Sequence, residues 1–398
     1  MTEGEGVDET EHRTWARKRP AKRRVLVTTW SRRGVAGQLL EPLLRSRRAL
    51  RERDGLTVQI ATVPKVQAAA DLIRRERPDI ALLAPSWREA SEEVVAAFEG
   101  VRAGATEVAV GCLDGFDGPS TPYLDALPFV DGYFKKQLFR DRSLYTREIA
   151  GGHPFVAWMW ESGIATDRRW NFGSVTDASL VQKLALSWNI GDRADHRRAI
   201  ARLAHSSASV ASDAELNRSI DVHCRVGLTG GPSRSWYARH RRHALAMVGA
   251  LDSNVHVVSN PAQGDARRIS RRRFRGELRR ARIVVSPFGW GEICHRDFEA
   301  IVAGAVLVKP SMEHLETRPD AYRAGATYVP VAWDLSDLSA AVEALLADEG
   351  RRRAMVEAAR DRLRTALSAA ASYRRVRTLL RRVERAASCR VGGDSADG

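Results

Sequence analysis

Cysteine is scarce in this chain of 398 residues, and the four present, Cys112, Cys224, Cys294 and Cys389, are scattered. They share no metal-ligand spacing and form no dense framework, so a reduced, intracellular protein is the simplest reading. Long apolar runs are missing too. No window approaches the roughly 20 apolar residues of a membrane-spanning helix. Residues 1–24 are charged and hold no apolar segment of the kind a secretory signal needs. Several catalytic signatures are also lacking. Thr28-Thr29-Trp30-Ser31 stands after the first apolar run, where a dinucleotide-binding G-x-G-x-x-G would fall. The glycine-rich stretch Gly227 to Gly231 has no Lys-Ser/Thr to make it a phosphate-binding loop of a nucleoside triphosphatase. No G-x-S-x-G nucleophile elbow occurs.

Acidic residues run short: 49 Asp and Glu stand against 64 Lys and Arg, a formal charge of +15 carried almost wholly by arginine. Such a field favours nucleic acid, anionic lipid or phosphorylated small molecules. Arginine bias from a GC-rich genome is the plainer explanation. No zinc-finger, homeodomain or RNA-recognition pattern accompanies the charge, so nucleic acid is not favoured.

What is present is globular. Hydrophobic residues make up 44% of the chain, and its length suits two domains. After the charged tail, the first half alternates short apolar runs with helical patterns. Strands are predicted at Val25 to Thr28, Leu56 to Ala61, Ile80 to Ala84, Val108 to Cys112 and Val130 to Phe134. Helices are predicted at Val35 to Arg51, Val66 to Arg75 and Glu89 to Val101. The pattern blurs from Ser143 to Asn217, where four tryptophans sit among glycines and polar residues. It resumes with strands at Ile220 to Val226, Asn254 to Ser259, Ile283 to Val285, Ala305 to Val308 and Tyr328 to Val331, separated by helices. The expected class is α/β: two facing Rossmann-like domains, each a parallel sheet flanked by helices. Ligands bind such sheets at the carboxyl ends of their strands and in the cleft between domains.

Arg282 to Pro310, RIVVSPFGWGEICHRDFEAIVAGAVLVKP, is the most informative stretch. It reads as strand, glycine-bearing turn, helix (about Ile293 to Ala303) and strand. The turn Gly289 to Gly291 and the N–H groups from Glu292 through Ile293 to Cys294 suit a diphosphate at a helix start. Arg225, Arg234, Arg239 and Arg296 are candidates for added positive charge, and Glu299 for accepting hydrogen bonds from ribose hydroxyls.

Ser286-Pro287-Phe288-Gly289-Trp290-Gly291-Glu292, Arg296-Asp297-Phe298-Glu299-Ala300, Ala303-Gly304-Ala305 and Val308-Lys309-Pro310 together resemble the donor-binding signature of GT-B glycosyltransferases. The closer likeness is to bacterial group-1-type transferases with an SPFGxGE…RDFEA…G…KP block. Met312 to Thr317 and Thr327 to Asp334 continue it, and Asp131 to Arg142 is a less specific echo. The resemblance implies a GT-B fold, a nucleotide-diphosphate-sugar donor on the C-terminal domain and an acceptor on the N-terminal domain. The acceptor class stays open among glycan, lipid-linked and small-molecule compounds. It also implies no obligatory metal or other cofactor, and no D-x-D loop motif is seen. Expected domains are a disordered tail (1–24), an acceptor domain with interdomain segment (25–215), a donor-binding domain (216–368), a basic helix (369–387) and a disordered tail (388–398). The expected location is cytoplasmic, with peripheral contact with anionic membrane through Arg374 to Arg385 as an alternative to a solvated helix or one packed on the first domain.

The pattern departs from the family at one point. Related retaining transferases carry two glutamates, and the position of the first, counted back from Glu299, falls on Gly291. Glu292 sits one residue late, which leaves retention against inversion open. A non-catalytic GT-B-like binding or scaffold protein is the alternative reading. Each site residue has a plainer role beside the functional one. Glu292 is a sugar contact or a helix-start acid, and Glu299 a ribose ligand or a solvated carboxylate. Arg296 and Lys309 are phosphate contacts or solvated side chains. Asp114 and Asp117 are general bases for an acceptor hydroxyl or turn-forming aspartates before glycine. Lys135, Lys136 and Arg140 meet an anionic acceptor or form a solvated face.

Overall fold

The computed structural model describes residues 23–164, 171–204, 213, 217–228, 236–260 and 269–393. Most of the expected N-terminal tail, the glycine-rich loop beyond residue 228, Arg234 and residues 394–398 lie outside them.

The first half builds β1 (Arg23–Thr29), α1 (Gly34–Asp54), β2 (Leu56–Thr62), α2 (Val66–Glu76), β3 (Ile80–Ala84), α3 (Ser91–Gly104), β4 (Ala109–Asp114) and β5 (Gly132–Lys135). β3 and β4 are buried along their whole length. Such near-continuous apolar runs are what a sheet covered on both faces requires. Short β6 (Gln137–Phe139), β7 (Ile149–Ala150), α4 (Pro154–Glu161), β8 (Asn171–Phe172), β9 (Leu184–Leu186) and α5 (Ala194–Ala204) fill the stretch whose pattern was blurred. Six parallel strands take the order β2-β1-β3-β4-β5-β9. The sixth, β9, was not anticipated. Only three residues long, it is too brief to show a period.

The second half builds β10 (Ile220–Cys224), α6 (Trp236–Gly249), β11 (Val257–Ser259), α7 (Arg271–Arg280), β12 (Ala281–Val285), α8 (His295–Ala303), β13 (Val306–Pro310), β14 (Leu315–Thr317), β15 (Val329–Val331), α9 (Leu338–Ala347), α10 (Glu349–Ala366) and α11 (Ala369–Gly393). Its sheet is also parallel, in the order β11-β10-β12-β13-β15. β14 leaves that sheet and pairs antiparallel with β6 of the first half, Leu315 opposite Phe139. A single buried cluster continues the union, running from Val110 through Phe155 and Trp236 to Phe288 and Leu307.

α11 differs from expectation at its end, running to Gly393 past the expected boundary at residue 388. Of the alternatives for this basic helix, the one packed on the first domain is what forms. Val376, Leu380 and Val383 bury one face among Leu39, Leu43 and Leu113 of the first domain. Each such side chain contributes about 1.5–3 kcal/mol when fully buried. Several of its arginines are tied down: Arg377 Nε donates to Asp54 at 2.7 Å, Arg390 Nε donates to Asp131 at 3.0 Å, and Arg375 pairs with Asp192. The basic run therefore docks on the first domain, while Arg374, Arg381 and Arg385 remain exposed.

Candidate active site

The strand–loop–helix unit β12–α8 is organised by Asp297, which is completely buried. Its carboxylate accepts from the Cys294 N–H at 2.9 Å, capping α8, and from Tyr322 Oη at 2.7 Å and Ser286 Oγ. That cap is why the helix starts at His295 rather than Ile293. Lys309 Nζ stands 3.3 Å from the same carboxylate, donates to Ser286 O and lies 4.9 Å from the centroid of the Phe288 ring. Lys309 is thus no phosphate contact: it is buried, and its charge is neutralised inside the domain. Arg296 is likewise engaged internally. Its guanidinium donates to Ser286 Oγ, Arg225 O and Pro287 O at 3.2, 3.0 and 3.1 Å. Arg225 forks onto Glu277 and also reaches Ser259 O, so it braces β10 against α7 instead of facing a ligand. Arg239 Nη1 reaches Ile164 O.

The turn after β12 folds back on itself. Gly289 N–H donates to Gly291 O at 3.1 Å, and a Cβ on Gly289 would meet Arg241 at 2.7 Å. Gly291 abuts the Asp117 main chain of the first domain, which leaves no room there for a side chain or a ligand atom. This corrects the reading of Gly289 and Gly291 as an open diphosphate cradle. Ile293 packs its side chain between two apolar clusters.

Glu292, 1% exposed, joins the two domains. One carboxylate oxygen lies 2.7 Å from His153 Nδ1, and the other accepts from Gln137 Nε2 at 2.7 Å. His314 Nε2 stands 3.6 Å away. Burial alone would raise this carboxyl's pKa. The charge and hydrogen bond of His153, helped by His314, outweigh burial and hold it well below the usual carboxylate range. His153, Gln137 and His314 were missed from the sequence. No spacing rule connects Glu292 with residues 139 and 155 positions away.

The first-domain candidates are mostly structural. Asp114 is buried and accepts from Lys135 Nζ at 2.7 Å, Tyr133 Oη at 3.0 Å and the Phe116 N–H at 2.7 Å. Burial pushes its carboxyl up, but Lys135 and these hydrogen bonds hold it below the ordinary range. A carboxylate so stabilised and so enclosed is a poor general base. Lys135 is 0% exposed and paired with it, so it presents nothing to an acceptor. Lys136 is buried on Asp117. Asp117 keeps half its side chain in solvent and is the one first-domain carboxylate of the two that is open to a ligand. Arg140 donates to Glu313 O at 2.9 Å and Leu315 O at 3.0 Å, a bracket across the β6–β14 pair rather than an acceptor contact.

Glu299 behaves differently. It is half-buried on α8, and among the described residues its carboxylate has no hydrogen-bond or ion-pair partner. It lines a cavity of about 430 Å³ together with Arg198 and Arg202 of α5 and Arg275 and Arg279 of α7. Burial raises its pKa, while Arg296, Arg193 and Arg275 pull the other way. The volume falls within the roughly 300–1,000 Å³ of small-molecule sites.

The stretch that supplies Glu299, Arg275 and Arg279 to this cavity matches a known family: residues 235–381 fit the model described as Glycosyl transferase-like. That stretch is glycosyl transferase-like, and the two facing parallel-sheet domains around it have the GT-B architecture. No curated protein matches the chain. Solved structures share its fold. An Escherichia coli trehalose-6-phosphate protein bound with UDP-2-fluoro glucose superposes with a TM-score of 0.52 at 10% identity, over 91% of this chain and 99% of that one. The α,α-trehalose 6-phosphate synthase of Burkholderia multivorans gives 0.50 at 13% identity, over 92% and 99%. No helix among the described residues is long and apolar enough to cross a membrane.

Proposed function

We propose that this protein is a glycosyltransferase that moves a sugar from a nucleotide-diphosphate-sugar donor to an acceptor hydroxyl, in the cytoplasm and without an obligatory metal. One observation carries this reading: Glu299, a half-buried carboxylate of the family-matched stretch with no partner among the described residues, sits in an arginine-lined cavity between α5, α7 and α8. Ribose hydroxyls donate to Glu299. Arg198, Arg202, Arg275 and Arg279 supply the positive charge that a departing diphosphate needs. The chain's own guanidinium groups thereby take the part a divalent cation would play. Glu292 acts as a latch. By accepting from His153 and Gln137 it ties donor domain to acceptor domain, and closure excludes the water that would hydrolyse the donor. The E. coli structure bound with UDP-2-fluoro glucose supports a uridine nucleotide as the first donor to try.

The test is a panel of nucleotide sugars, read by binding and by transfer or slow hydrolysis, in wild type and Glu299→Ala, with and without EDTA. Saturable binding that Glu299→Ala weakens, and turnover that survives EDTA, are expected. Binding without turnover in either protein would favour a scaffold, and turnover abolished by EDTA would remove metal independence.

A further inference from the structure

A second hollow adjoins the Glu299 cavity. It is a groove of about 730 Å³ between α1 of the first domain and the α5 and α7 helices, and it shares Asp195, Arg198 and Arg275 with that cavity. Arg32, Arg193, Arg198, Arg271 and Arg275 line it, against the carboxylates of Glu41 and Asp195 only. Those two are already engaged, Glu41 with Arg197 and Asp195 with Arg193. Elsewhere in this arginine-rich chain guanidinium groups find internal partners, as Arg352 finds Asp213 and Arg102 finds Asp131. Arg198 and Arg271 have no side-chain partner among the described residues.

Two further observations point to a ligand. The Gln38 side-chain oxygen, on the groove wall, is buried and has no hydrogen-bond donor among the described residues. A buried acceptor left without a donor is destabilising unless something donates to it. The first turn of α1 also opens here through Gly34 and Gly37, with no acidic residue to answer its N-terminal dipole.

We infer that this groove is the acceptor site and that the acceptor carries a phosphate or diphosphate beside a hydroxyl. The inference rests on the donor reading of the Glu299 cavity. Guanidinium forks bind phosphate oxygens in pairs, and the groove's uncompensated positive charge selects a dianion over a neutral glycan. The ligand hydroxyl donates to Gln38. The shared wall of Asp195, Arg198 and Arg275 brings this ligand beside the donor. Lys135, Lys136 and Arg140, expected to meet an anionic acceptor, are spent on internal pairs, and the groove's arginines take over that part.

The experiment titrates inorganic pyrophosphate into the full-length protein, alone and after saturation with a nucleoside diphosphate. A separate acceptor site binds pyrophosphate in both states. Arg271→Glu, on the exposed first turn of α7, weakens that binding about tenfold or more. The variant leaves nucleotide affinity unchanged, because Arg271 does not line the Glu299 cavity. Pyrophosphate that binds only in competition with nucleotide would assign the groove to the donor's own diphosphate and overturn the inference. So would binding indifferent to both Arg271→Glu and Arg32→Glu. Failure of nucleotide to bind, with pyrophosphate still held by Arg271, would sink the donor reading while leaving an oxyanion groove. Two arms separate the sources of the phosphate: a soluble hexose phosphate, and polyprenyl phosphate in phosphatidylcholine vesicles. Productive transfer to one and not the other identifies the class, and transfer only to unphosphorylated sugars overturns the inference.

Discussion

Gly291 of the second domain lies against the main chain of Asp117 in the first, so close that a Cβ on Gly291 would clash with the Asp117 carbonyl group, 2.9 Å from its carbon, and stand 3.0 Å from its Cβ. Gln137 Nε2 bridges the same point, donating to Asp117 O and to Glu292, both at 2.7 Å. A glutamate at position 291 would have no space, and the carboxylate at 292 serves the junction instead.

Gly291→Ala is therefore expected to cost about 1–3 kcal/mol, the usual toll of overpacking, and to part the domains. Small-angle scattering should show a larger radius of gyration, and turnover should fall. Unchanged scattering and unchanged urea stability would mean that these loops do not touch in solution.

Removing the latch carboxylate has a larger effect. Glu292→Ala leaves His153 and Gln137 buried without their acceptor, and breaking a buried pair from one side costs about 3–5 kcal/mol. Chemical denaturation of wild type and variant measures this. A loss under about 1 kcal/mol, the range of exposed pairs, would place the pair in solvent.

Glu299 should show the opposite signature. Burial raises its pKa in the folded state, and for an acid this sign means that the charged form opposes folding above the unfolded value. Glu299→Gln is expected to raise the melting temperature of the free protein while weakening nucleotide binding, a trade typical of functional side chains. A variant both less stable and unimpaired in binding would assign Glu299 to the scaffold.

His240 sets an acid limit. Its ring centroid is 4.7 Å from that of Phe155, its Nε2 has no partner among the described residues, and burial pushes its pKa down to about 3. The charges of His243, Lys309 and Arg241 act in the same direction. The unfolded chain binds this proton below about pH 6.5 and the folded chain does not, so stability is full above that pH and declines as pH falls toward 3. Between pH 6.5 and 5 this one group accounts for about 2 kcal/mol. His240→Leu should flatten the fall in denaturation free energy between pH 7 and 5, and an equally steep fall in the variant would move the cause elsewhere.

The fold was legible in the sequence where apolar runs were long enough to carry a period. β3 was placed to the residue, and the β12–α8–β13 unit to within about two residues at each boundary, α8 starting late because of its cap at Cys294. Glu299 was legible as a candidate because its block has a recognisable spacing. Most of the charged candidates misled for one physical reason. A lone Lys309 or Lys135 looks solvated in sequence, since burying an ammonium is costly, and only the distant partner, Asp297 or Asp114, makes it tolerable. The junction His153–Glu292–Gln137 and the groove of Arg32, Arg198 and Arg271 are products of topology, with members drawn from elements far apart in the chain.

α11 has a consequence for how the molecule comes into being. Leu39, Leu43 and Leu113 meet Val376, Leu380 and Val383 across one core, so the first domain is finished by a helix that follows the whole second sheet. Domains usually fold as they leave the ribosome, N-terminal first. Here the leading domain must wait, with an apolar face uncovered, until the second domain has been synthesised. A nonsense codon ahead of Val376 would spare every candidate donor residue and still deny the first domain its core.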